Sequence, residues 1–153
     1  ETQLFQDLIQ SMVIERDGPR FRRVVEDAGL LAREAPFSDA EVEEYFAFYY
    51  NYVLEDRSIT IDQAYASGGV KQLFDAKGPQ GELLKQLNVP PSFVVLQRIN
   101  LGLMGIMAQL EATQNWRAIA EELWPFVGRG ASTPTGEAIE AWRRQRGQTG
   151  LGL

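Results

Sequence analysis

Apolar residues recur at three- and four-residue intervals along most of this chain, the spacing that lines one face of a helix. Leu4, Phe5, Leu8, Met12 and Val13 begin the pattern. Asp17-Gly18-Pro19 interrupts and restarts it, because proline is tolerated in a first helical turn. The next helix carries Phe21, Val24 and Val25 on one side, and Gly29 is a natural left-handed stop. Ser38-Asp39-Ala40-Glu41 reads as a capping box, opening a helix with Val42, Tyr45, Phe46, Tyr49 and Val53 inward. Thr60-Ile61-Asp62-Gln63 reads as a second box, leading through Tyr65, Val70, Leu73 and Phe74. Gly68-Gly69 interrupts that segment at a cost of about 2 kcal/mol relative to alanine, so a kink or break is expected there.

Gly78-Pro79 closes the segment, and a short helix through Leu83, Leu84 and Leu87 leads to Pro90-Pro91. From about Ser92 to Ala112 the pattern predicts one long helix, roughly 30 Å at 1.5 Å per residue. Asn115 caps a further helix through Ile119 and Leu123, limited by Pro125, and Thr133-Pro134 begins a last one through Ile139 and Trp142. No strand-like alternation of useful length and no repeat appear. The expected fold is all-α, a compact single domain of about seven to eight helices over residues 1–146. The glycine-rich stretch 147–153 reads as a flexible tail.

The long helix has the most apolar composition. Phe93, Leu96, Ile99, Leu103, Ile106 and Leu110 form one stripe; Arg98, Gly102, Gly105 and Gln109 form a second row. A central arginine costs about 2.5–3.5 kcal/mol in a bilayer, so the segment is expected to be a buried core helix and not a transmembrane segment. Glycines in a helical row let another backbone approach closely. Arg98 at the head of the row is then expected to be partly buried, either in an ion pair fixing two helices or against a phosphate or acidic group of a neighbouring lobe. Tyr45, Phe46, Phe48, Tyr49, Tyr50 and Tyr52 cannot all lie on one side of a helix. Tyr49, Tyr50 and Tyr52 are therefore candidates for a lateral contact, a ligand pocket or a partner groove.

Composition narrows the chemistry. The 153 residues include 44% hydrophobic and 24% charged side chains, a globular balance, with a formal net charge of −6. An acidic chain is a poor partner for nucleic acid, whose binding rests on phosphate neutralisation. There is no cysteine and no histidine. Thiolate nucleophiles, sulfur metal sites and the usual neutral-pH base are absent, and the cysteine count fits a reducing, cytoplasmic location. Phosphate-binding glycine loops and nucleophile elbows are missing. Glu41, Glu43 and Glu44 read as a solvated helix start favoured by the dipole. Glu121 and Glu122 point about 100° apart on a helix and cannot chelate together. Catalytic, cofactor-binding and metal residues are therefore expected to be none, leaving Arg98, Gly102, Gly105, Tyr49, Tyr50 and Tyr52 as interaction candidates.

The run Pro90-Pro91-Ser92-Phe93-Val94-Val95-Leu96-Gln97-Arg98-Ile99-Asn100-Leu101-Gly102-Leu103 resembles the late helical region of the ABC1 (AarF/UbiB) atypical kinase-like family. Asp17 to Leu30, Asn115-Trp116-Arg117 and Glu122-Leu123-Trp124-Pro125 are similar to the same region. The resemblance implies the helical part of a kinase-like large lobe, in a family linked to ATP and to quinone or lipid metabolism. The nucleotide-binding lysine, phosphate loop and catalytic and metal-binding aspartates of that family lie upstream of the matched region. ATP and a divalent metal would then belong to an upstream lobe of a parent protein, and no catalytic residue is carried onto this chain. A start at Glu1 rather than Met fits such a fragment. The implied role is a scaffold or a partner or substrate surface, with the upstream lobe, another protein or a second copy as partner. The other reading is a stand-alone α-helical protein-binding module with no kinase connection. A lobe separated from its partner should expose an apolar patch along the aromatic helix or the glycine row.

Overall fold

The computed structural model describes residues 2–75, 77–78 and 80–147. Among these it contains eight α-helices and one two-stranded ribbon, so the all-α expectation is met. In chain order they are α1 (Thr2–Ile9), α2 (Gly18–Asp27), α3 (Asp39–Tyr50), β1 (Ile59–Ile61), α4 (Gln63–Phe74), α5 (Gly81–Gln86), α6 (Pro91–Gln109), β2 (Ala112–Gln114), α7 (Trp116–Leu123) and α8 (Pro134–Gln145). The chain folds as two compact units, Glu1–Asn51 with Thr60–Thr113 and Tyr52–Ile59 with Gln114–Leu153.

The first unit is built on α1, α2 and α3. Leu8, Ile9, Met12 and Val13 turn inward to meet Phe21 and Val25 of α2 and Val42 and Tyr45 of α3, all nearly inaccessible. Phe21 and Phe46 meet edge to face at 5.4 Å. After α1 the backbone widens into a π-helical stretch, Gln10–Glu15, where the buried Ser11 hydroxyl donates to the Asp7 carbonyl at 2.7 Å. That bond satisfies a polar group the core would otherwise strand.

Local signals set the helix ends. Asp17 accepts from the Arg20 amide at 2.9 Å, and Pro19 follows within the first turn of α2. Gly29 ends the helix at φ 71°, and Leu30 donates back to the Val25 carbonyl at 3.0 Å. Ser38 and Glu41 form both halves of a capping box on α3. The loop before it is held by Arg22, which pairs with Glu26 at 2.8 Å and donates to the carbonyls of Ala35 and Phe37.

Two local expectations are corrected. Thr60 lies in β1, its hydroxyl 2.7 Å from that of Thr113 in β2, so it does not cap α4. Asp62 takes that role, accepting from the Tyr65 amide at 2.7 Å. Three-residue strands are too short for side-chain alternation to announce. The break expected at Gly68-Gly69 is also absent, since α4 runs unbroken from Gln63 to Phe74. Packing of α4 along α6 offsets the glycine penalty.

The second unit holds α7 and α8 through half-buried polar anchors. Asn115 caps α7 by accepting from the Ala118 amide at 3.0 Å, and Thr133 caps α8 by accepting from Gly136 at 2.9 Å. Trp116 donates its indole N–H to the Ile59 carbonyl at 2.8 Å. The tail expected over 147–153 falls, at 148–153, outside the described residues.

Candidate functional site

Helix α6 begins at two prolines and ends where Glu111 adopts a left-handed φ of 46°. Its nineteen residues carry one charge, Arg98. Gln97, Leu101, Met104 and Ala108 turn inward, with Ala108 only 1% exposed. These positions follow one another at three- and four-residue steps and so share one face.

The expected core stripe lies on the other side. Leu96, Ile99, Leu103, Ile106 and Leu110 are 46–73% exposed, and Val94 and Val95 beside them are 41% and 57% exposed. Expectation of a buried core helix is therefore corrected: 6% of the α6 window is buried. The reason is stoichiometric. α6 is apolar nearly all round, while α4 packs along one side of it. With a mean hydropathy of 1.2 over its window, it is also the one helix among the described residues long and apolar enough to cross a membrane by length and composition.

The glycine row is corrected in the same way. Among the described residues, nothing lies within 4 Å of where a Cβ would stand on Gly102 or Gly105, so none of their backbone approaches these glycines. Arg98 is exposed rather than partly buried, and among the described residues no carboxylate lies within ion-pair distance of it.

Tyr50 is half-buried and lines a small apolar cavity of about 80 Å³ with Phe5, Leu8, Phe46, Phe93 and Leu96. Gln97 and Asn100 of α6 supply its polar rim. Gly105 lines a wider trough of about 420 Å³ along α4 and α6, whose one charged wall residue is Lys71. Tyr52 belongs to the second unit, where burial pushes its phenol above the usual range. The Tyr49 side chain lies outside the described residues. Of the three tyrosines, Tyr50 thus shares a cavity with Phe93 and Leu96 of α6.

The second unit holds an ion cluster that sequence reasoning passed over. Glu121 accepts from Arg117 on one oxygen and from Arg129 on the other. Arg117 also donates to the Val53 carbonyl at 3.2 Å, and Arg129 lies 3.5 Å from Asp56. Burial raises the Glu121 carboxyl, but the two guanidiniums outweigh it and hold it below the ordinary carboxylate range. Asp56 is held low by the Asn115 side chain first and by Arg129 after it. The Arg117–Glu121 spacing of four residues was readable; Asp56 and Arg129 are too distant in sequence to reveal their meeting. Neighbouring Glu122 points elsewhere, accepting from the Ser132 amide at 2.8 Å and from the hydroxyls of Ser132 and Thr133. The two glutamates therefore serve separate partners, as their angular separation requires.

Among the described residues no three potential ligand side chains converge as a metal site would require. The cluster's charges are already paired with one another, and its chemistry is that of a structural clasp. Among the described residues, the α6 segment carries most of the exposed large apolar side chains, Val94 to Leu110. Comparison with family models, with curated proteins and with solved structures returns no match.

Proposed function

We propose that this chain is the helical, non-catalytic C-terminal portion of an ABC1 (AarF/UbiB)-like atypical kinase, and that it presents α6 as a docking surface. The observation that carries the reading is the exposed apolar face of α6, from Val94 to Leu110. A monomer rarely leaves so contiguous an apolar stripe in water unless something else covers it. The proline-led segment that resembles the family is the same segment that forms this face.

The residues described here do not fit ATP or a divalent metal. They lack a glycine-rich phosphate loop, and their paired carboxylates are bound to guanidiniums or helix caps. In this reading both groups are held by an upstream lobe, and no chemical step is assigned to this chain.

The coding sequence ahead of Glu1 tests the family placement. A kinase-like lobe bearing a nucleotide-binding lysine and a metal-binding aspartate is expected. A start codon immediately before Glu1 would instead make the chain a stand-alone helical binding module. Calorimetric titration of this chain with Mg-ATP should give no heat of binding, and saturable binding would contradict the non-catalytic assignment.

A further inference from the structure

The exposed residues of α6 are spaced as a coiled-coil seam. Leu96, Ile99, Leu103, Ile106 and Leu110 follow one another at steps of three, four, three and four. That is the alternation of a and d positions over two heptads, with Leu at every a and Ile at every d. All five are about half exposed or more. The helix packs inward mainly through a different row; Leu96 also lines the small apolar cavity, so the fold uses the seam at that end. We propose that the seam pairs with α6 of a second copy of the same chain; the inference rests on reading α6 as a docking face and names its occupant.

Charge and area favour a second copy. Positions flanking the seam are Val95, Asn100, Gly102, Met107 and Gln109, all uncharged. Partner choice in coiled coils is normally written in charges at these places, and none is written here toward a different helix. Two copies meeting along α6 bring no like charges together at the contact, although each carries a net −6. Arg98 stands outside the seam and its flanks. A specific interface needs about 1,000 Å² in total. Five aliphatic side chains exposed to this degree supply roughly 100 Å² each, so two copies reach about that total. Open space around Gly102 leaves room for the partner helix to approach at its flank. Leu at a with Ile at d favours more than two strands, so the assembly is a dimer or a larger bundle.

Sedimentation equilibrium over a concentration series from about 1 to 500 μM, spanning weak to tight pairing, tests this. The wild-type chain is expected to rise in mass from monomer to dimer or tetramer. Ile99→Asp should remain monomeric across the series while keeping its helical circular dichroism. The chain has no cysteine, so Leu103→Cys can be cross-linked by mild oxidation. It should give a covalent dimer, and Arg98→Cys, off the seam, should give far less. A wild-type chain monomeric throughout, with equal cross-linking at 98 and 103, overturns the self-pairing. Vesicles of phosphatidylcholine and phosphatidylglycerol serve as the competing probe. Co-sedimentation of a monomeric wild type with them, lost in Ile99→Asp, overturns the second copy while leaving α6 as a docking face. If Ile99→Asp alters neither mass nor vesicle binding, both the pairing and the docking reading fall.

Discussion

Glu121 shows how one half-buried charge holds a small helical unit together. Both oxygens are engaged by guanidiniums, and its folded carboxyl titrates below the ordinary range. A depressed carboxylate stabilises the fold above its unfolded pKa, and that contribution is lost as pH falls through the folded value. The second unit should therefore weaken below about pH 4, where an unfolded glutamate takes up its proton. Trp116, Trp124 and Trp142 are the only tryptophans and all lie in this unit, so selectively excited tryptophan fluorescence reports it alone. Urea unfolding should show Glu121→Gln less stable by about 1.5–3 kcal/mol at pH 7, the range for hydrogen bonds to charged groups. The variant's acid dependence should be flatter than that of the wild type. An unchanged acid limb would place the stabilising charge elsewhere. Side chains of this kind were only half legible: Arg117 and Glu121 sit one helical turn apart, while Asp56 and Arg129 are brought in by the fold.

Most helix starts were readable, Thr60 before α4 excepted, and helix surroundings were not. Asp17, Ser38, Asn115 and Thr133 each cap the helix that follows, because a cap depends on residues within one turn. The continuity of α4 through Gly68 shows the limit of propensity, which neighbouring packing overrides. Gly68 has a helical neighbourhood and open space where a Cβ would stand. Gly68→Ala should therefore raise stability by about 0.5–1 kcal/mol, measured by thermal denaturation followed at 222 nm. A loss of stability would mean the glycine is needed for a bend or a close approach at that position. The apolar stripe of α6 was visible as a stripe, yet periodicity alone does not say whether such a face meets protein interior or solvent. On α6 the row that packs inward is the mixed one, Gln97, Leu101, Met104 and Ala108, and the richer row is left outside.

At the scale of the molecule, two helical units are closed by hydrophobic packing in one and charge pairing in the other, and a single long helix carries the unsatisfied surface. The helical class followed from the periodicity of the sequence. The exposed seam needed the structure, since its exposure depends on how few neighbours reach α6. Thiol labelling of single-cysteine variants in dilute protein tests that exposure most directly. Leu103→Cys should react with a maleimide at nearly the rate found in urea, and Ala108→Cys, 1% exposed in the native chain, should react far more slowly. Equal protection of the two positions at every dilution would show that α6 is covered within the chain itself, and the docking account would be wrong.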